Sequence, residues 1–81
     1  MLLEIISPDK KLYSGEILRI QVPGSKGSFE ILKNHAPIIS TLDKGRINIT
    51  STDGKLTSFD VDGGVIEAKN NKIIVLAESA Q

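Results

Sequence analysis

Apolar and polar positions alternate along most of the chain, and the alternation restarts about every ten residues, a strand period. "LLEIIS" (2–7) puts Leu3 and Ile5 on one face and Leu2, Glu4 and Ile6 on the other. After the "PDKK" turn, "KLYSG" (11–15) reads as a short strand closed by Gly15. "EILRIQVP" (16–23) sends Leu18, Ile20 and Val22 inward and Arg19 and Gln21 outward, until Pro23-Gly24 breaks it. "GSFEIL" (27–32) has Phe29 and Ile31 on one side; "IISTLD" (38–43) follows Pro37; "GRINITS" (45–51) sets Ile47 and Ile49 against Arg46, Asn48 and Thr50. Asp53-Gly54 predicts a tight hairpin turn of the primed kind, from which "LTSFDV" (56–61) runs back. Gly63-Gly64 interrupts the next run, "VIEAK" (65–69), and Asn70-Asn71 makes a second tight turn. "KIIVLAE" (72–78) is apolar on both faces from Ile73 to Ala77, which places it in the middle of the fold.

No window holds a helical period, so the expected fold is all-β: an antiparallel β-sandwich or flattened barrel of about eight to ten short strands. Residues 1–81 form a single domain, with no linker, internal repeat or low-complexity segment. A chain of this size buries only ~60–65% of the surface its unfolded form exposes, so the core is thin. The expected core is Ile5, Leu18, Ile20, Val22, Ile47, Ile49, Phe59, Ile74 and Leu76.

Composition narrows the function. Ten basic residues balance ten acidic ones and no block of like charge exceeds two, so nothing offers a phosphate-neutralising surface and no nucleic acid is expected as partner. There is no cysteine, which excludes a disulfide framework, a thiolate metal site and a cysteine nucleophile. The start, "MLLEIISPDK", lacks the basic and long apolar regions of a signal peptide, and no segment approaches the ~20 apolar residues of a membrane span. A cytoplasmic chain that meets a membrane only through partners is the expectation.

Candidate chemistry is sparse. His35, the only histidine, stands in Lys33-Asn34-His35-Ala36-Pro37, with Glu30 and Asp43 as its nearest carboxylates; a loop histidine bonded to backbone is the plainer reading. Asp60 and Asp62 share a strand face without a third ligand nearby and read as solvated charges. Residues 23–28, Pro-Gly-Ser-Lys-Gly-Ser, have the glycines of a phosphate loop, but a strand follows where such a loop opens a helix. Ile66-Glu67-Ala68-Lys69 resembles the lysine hairpin of biotinyl and lipoyl carrier domains, although Asn70-Asn71 occupies the turn that the lysine would need. No catalytic, cofactor-binding or metal site is expected, and a fold without one works by its surface. A third reading is an unrelated β-sandwich adhesion module.

"VPGSKGSFEILKNHAPIISTLDKGRI" (22–47) resembles the signature of the epsilon subunit of the rotary F-type ATP synthase. The matching residues are Val22, Gly24, Gly27, Phe29, Ile31, His35, Ala36, Pro37, Leu42, Lys44 and Gly45. "LEIISPDKKLYSGEILRIQVPG" is similar to the family's opening and "VDGGVIEAKNNKIIVLAESA" to its closing Gly-Gly hairpin and final strand, so the resemblance covers essentially the whole chain. Where the family commonly has Pro-Gly before the histidine, this chain has Lys33-Asn34; asparagine tolerates the left-handed conformation glycine would supply. Family members usually continue into a C-terminal helical hairpin, whereas this sequence stops at Gln81, so no C-terminal helical domain, nucleotide binding or helical inhibition is expected, and a natural short form is the favoured reading.

The resemblance implies a non-catalytic rotor component. It would link the gamma subunit to the membrane c-subunit ring at the foot of the central stalk, on the cytoplasmic face of a bacterial plasma membrane. It implies a gamma-facing surface at His35, Ala36, Pro37, Ile38 and Ile39. It implies a ring-facing surface at Ser25, Lys26, Gly27, Ser28 and Glu30.

Overall fold

The computed structural model describes residues 1–79. Eight strands follow in order: β1 (Leu2–Ile6), β2 (Lys11–Val22), β3 (Phe29–Leu32), β4 (Ile38–Leu42), β5 (Gly45–Ser51), β6 (Leu56–Val61), β7 (Gly64–Lys69) and β8 (Lys72–Ala77). They form one curled sheet in the order β4-β7-β8-β1-β2-β5-β6, with β3 paired to β2 off that path. The curl folds it into two layers sharing β2. The first half of β2 pairs with β1, and its second half lies between β3 and β5. All pairs are antiparallel except β1 with β8, which run parallel and bring the two end strands of the chain side by side.

The passage of β2 between layers explains the first departure from the sequence reading. "KLYSG" and "EILRIQVP" are one strand of 12 residues, because Gly15 stays in the ladder opposite Leu3. A register shift between Ile17 and Arg19 inserts Leu18 as an extra residue, a β-bulge that bends the strand. Ile17 and Ile20, three apart, therefore both point inward and are buried, while Leu18, expected in the core, is 51% exposed.

A second departure is the phase of β8. Its place between β7 and β1 is central, as expected. Its inward residues, however, are Ile73, Val75 and Ala77, in register with Ala68 and Ile66 of β7 and with Leu3 and Ile5 of β1. Ile74 is half-buried and Leu76 is 53% exposed, so both leave the core list. The run is apolar on both faces, and only its cross-strand neighbours fix which set is inside. Ile5, Ile20, Val22, Ile47 and Ile49 are buried as expected. Phe59 is half-buried on the edge strand β6, where its ring meets that of Tyr13 edge-on at 6.2 Å.

The two hairpin turns differ. Asn70 and Asn71 both have positive φ, 53° and 64°, which is the primed turn that a two-residue loop demands. At residues 52–55 only Gly54 has positive φ, 85°, while Asp53 does not. The expected primed turn is thus replaced by a turn closed by Gly54 N–H donating to Ser51 C=O at 2.9 Å, followed by a left-handed glycine. The Asp53 carboxylate accepts from the Ser51 hydroxyl and from the Lys55 amide, and these bonds hold its pKa below the usual aspartate range.

Candidate docking flank

β3 and β4 are edge strands of the two layers, and residues 33–37 carry the chain from one to the other. The expected gamma-facing residues thus lie on this crossover and the start of β4. Asn34 has φ of 65°, the left-handed conformation expected of it in place of glycine. The His35 ring is half-buried. Its Nδ1 lies 3.0 Å from the Ala36 carbonyl, and a carbonyl only accepts, so Nδ1 carries the proton. Nε2 is enclosed without a partner, and no described side chain orients it as a base. Ile38 turns toward the core, and Ile39 turns outward with 73% exposure.

The expected ring-facing residues 25–28 form the loop between β2 and β3, folded back along β4. Ser25 N–H donates to Thr41 C=O at 3.0 Å, the Ser25 and Thr41 hydroxyls are 2.7 Å apart, and Asp43 N–H donates to Pro23 C=O at 2.8 Å. Gly24 is buried where an added Cβ would stand 2.6 Å from the Phe29 ring and 2.7 Å from Gly27 C=O, so no other residue fits without displacement. Gly27 has φ of 127°. The loop and residues 39–41 line a depression of about 530 Å³, which brings Ile39 of the first set beside Ser25, Lys26, Gly27 and Ser28 of the second. Glu30 is not brought to it. It stands on the outer face of the second layer, 3.5 Å from the Arg19 guanidinium.

Thr41 and Gly24 were not singled out from sequence for this flank. The strand alternation of β4 puts Thr41 on the face of Ile39, but its hydroxyl partner lies 16 residues away and no local pattern announces it.

The other sequence candidates are dispersed. Asp60 pairs with Arg46 at 3.0 Å. Lys69 stands opposite Lys72, one residue ahead of the turn. β3, a strand, follows the glycine loop at residues 24–27. Among the described residues no cluster of three or more His, Asp or Glu is placed to hold a metal, and no helix is long and apolar enough to cross a membrane.

A buried aliphatic core, a loop hydrogen-bonded to the neighbouring edge strand and exposed aliphatic residues make up a β-sandwich. Residues 1–81 match the family described as ATP synthase, Delta/Epsilon chain, beta-sandwich domain. The chain belongs to that family. It is 42% identical over 76 residues to the ATP synthase epsilon chain of Dichelobacter nodosus, covering 94% of this chain and 53% of that one. It is 38% identical over 76 residues to the ATP synthase epsilon chain of Chlorobium limicola, covering 94% and 86%. It thus spans about half the length of the first relative and most of the second. A chain in the Euglena gracilis mitochondrial ATP synthase structure (OSCP/F1/c-ring) superposes with a TM-score of 0.94 at 16% identity, over 100% of this chain and 52% of that one. That likeness is one of fold. The lysine-carrier reading finds no support in these relatives.

Proposed function

We propose that this chain is a central-stalk rotor subunit of a proton-translocating ATP synthase. In this reading it binds the gamma subunit and the c-subunit ring and helps couple proton flow to ATP synthesis without catalysing a step itself. Its place is the cytoplasmic face of a bacterial plasma membrane, reached through the complex. In this reading the eight strands from Leu2 to Ala77 act as one sandwich domain.

The observation that carries the reading is family membership across the whole chain, joined to a flank on which a fixed loop and an exposed Ile39 meet. Torque transmission asks for rigidity and a complementary surface, and a hydrogen-bonded sandwich packed to crystal-like density resists shear. His35, Ala36, Pro37, Ile38 and Ile39 are assigned to gamma; Ser25, Lys26, Gly27, Ser28 and Glu30 are assigned to the ring. Glu30 stands apart from the 25–28 loop, paired with Arg19.

A pull-down from native membranes with the full chain as bait, followed by identification of its partners, tests the proposal. Recovery of gamma and c subunits is the expected result. Recovery of neither, with the bait folded, contradicts it.

A further inference from the structure

Beyond the Gly24 N–H bond to Val22 C=O at 3.1 Å, polar groups of the 24–28 loop are tied at two places. One is internal, Gly27 N–H to Gly24 C=O at 2.9 Å. The other is to β4, where the Ser25 N–H donates to Thr41 C=O at 3.0 Å and the Ser25 and Thr41 hydroxyls share a hydrogen bond at 2.7 Å. A bridge between Gly24 and Leu42 flanks this contact. Thr41 itself is exposed and lies on the outer face of an edge strand, so its hydroxyl has no core to support and its evident role is this bond.

We propose that Thr41 is a positioning residue, a latch that holds the 24–28 loop in its docking shape before any partner arrives. The inference rests on the assignment of that loop to the c-ring. The physical warrant is preorganisation. Ordering a loop on binding costs conformational entropy, and a loop already ordered avoids that cost. Gly24 and Gly27 permit the loop's path, but glycines do not hold a conformation; they enlarge the set from which one must be selected. The latch supplies the selection. It also sits two residues from Ile39 on the same face of β4, so the strand proposed to meet gamma is the strand that fixes the loop proposed to meet the ring.

The test compares Thr41→Val, which keeps shape and removes the hydroxyl, with Thr41→Ser, which restores it. Amide hydrogen exchange at Ser25 and Gly27, the loop amides bonded to Thr41 and Gly24, is measured in the full chain. Capture of the cognate detergent-solubilised c-ring by the chain bound to gamma is measured alongside. Thr41→Val is expected to speed exchange in the loop and weaken ring capture about fivefold, the size of one net hydrogen bond. Thr41→Ser should return both readouts toward those of the unaltered chain. Unchanged exchange overturns the latch. Faster exchange with unchanged ring capture overturns its positioning role. If Thr41→Val does not fold, Thr41→Ala removes the same hydroxyl from the β4 side and is judged by the same readouts. Failure of the underlying reading looks different, because then the unaltered chain captures no ring.

Discussion

The outer faces of the two layers are built unlike. On the first layer, Val65, Leu76 and Ile6 stand in cross-strand register, with Ile39, Glu67, Ile74 and Glu4 in the next row. Ile39, Val65 and Leu76 are exposed there. Glu67, Lys69 and Lys72 also stand on this face, and Glu4 is ion-paired at 2.9 Å to Lys11, which holds its pKa below the usual glutamate range. On the second layer the polar groups satisfy one another. The Ser58 hydroxyl donates to Asn48, the Asn48 amide donates to Gln21, and Arg19 reaches Thr50 and Glu30. Its exposed leucines are Leu32 and Leu56 on the edge strands β3 and β6, and Leu18 at the bulge of β2. A face whose polar groups are already bonded to each other gains little from a partner. A face of exposed aliphatic side chains gains by being covered, at ~25 cal/mol per Å². Ile39 belongs to the second kind, which fits the gamma-facing role that the family resemblance implies for it.

The largest expected effect separates the inside of the first layer from its outside on a single strand. Val75→Asp buries an unpaired charge and should cost at least ~3 kcal/mol, enough to unfold much of the population. Leu76→Asp, one residue on and facing out, should shift stability by less than ~1 kcal/mol. Equal losses in chemical denaturation would erase the distinction. A similar pair probes the bulge. Ile20→Ala should cost ~2–5 kcal/mol, and Leu18→Ala about 0.5 kcal/mol or less. If Leu18 were the costlier of the two, the shift between Ile17 and Arg19 would be wrong. On the polar ladder, Asn48→Ala should change stability by roughly 1 kcal/mol and leave gamma retention untouched.

Acid provides the smallest effect. Glu4 and Asp53 both have depressed folded-state pKa values, so what they contribute is present above the ordinary carboxylate range and is lost as pH falls through their folded values. The melting midpoint should decline on acidification below that range, and Glu4→Gln should make the decline shallower. A midpoint that rises there would reverse the sign of the argument.

Local features of this fold were legible from the chain. The bounds of β5 and β6 agree with the alternation at 45–51 and 56–61, and Asn34 and Asn70-Asn71 adopt the left-handed conformations their chemistry permits. What the pattern did not reveal depends on distant neighbours. Ile17 and Leu18 are both apolar, so a bulge between them leaves no trace in the alternation. β8 is apolar on both faces, and its phase is fixed only by β1 and β7. The parallel pairing of β1 with β8 joins residues some 70 apart, and the Ser25–Thr41 latch spans 16. The candidate residues were legible as a segment, but the meeting of Ile39 with residues 25–28 in one depression, and the separation of Glu30 from it, belong to the tertiary structure.

The most direct test of docking uses Ile39 rather than His35, whose half-buried ring and enclosed Nε2 tie it to the loop's own structure. Ile39 is 73% exposed, so Ile39→Asp should leave the melting curve nearly unmoved, within ~0.5 kcal/mol. Co-purification of the Ile39→Asp chain with the gamma subunit, beside that melting curve, is the measurement. The account predicts loss of gamma from a fully folded chain, because the carboxylate would be desolvated against the partner without a counter-charge. Full retention of gamma by the folded variant would contradict it.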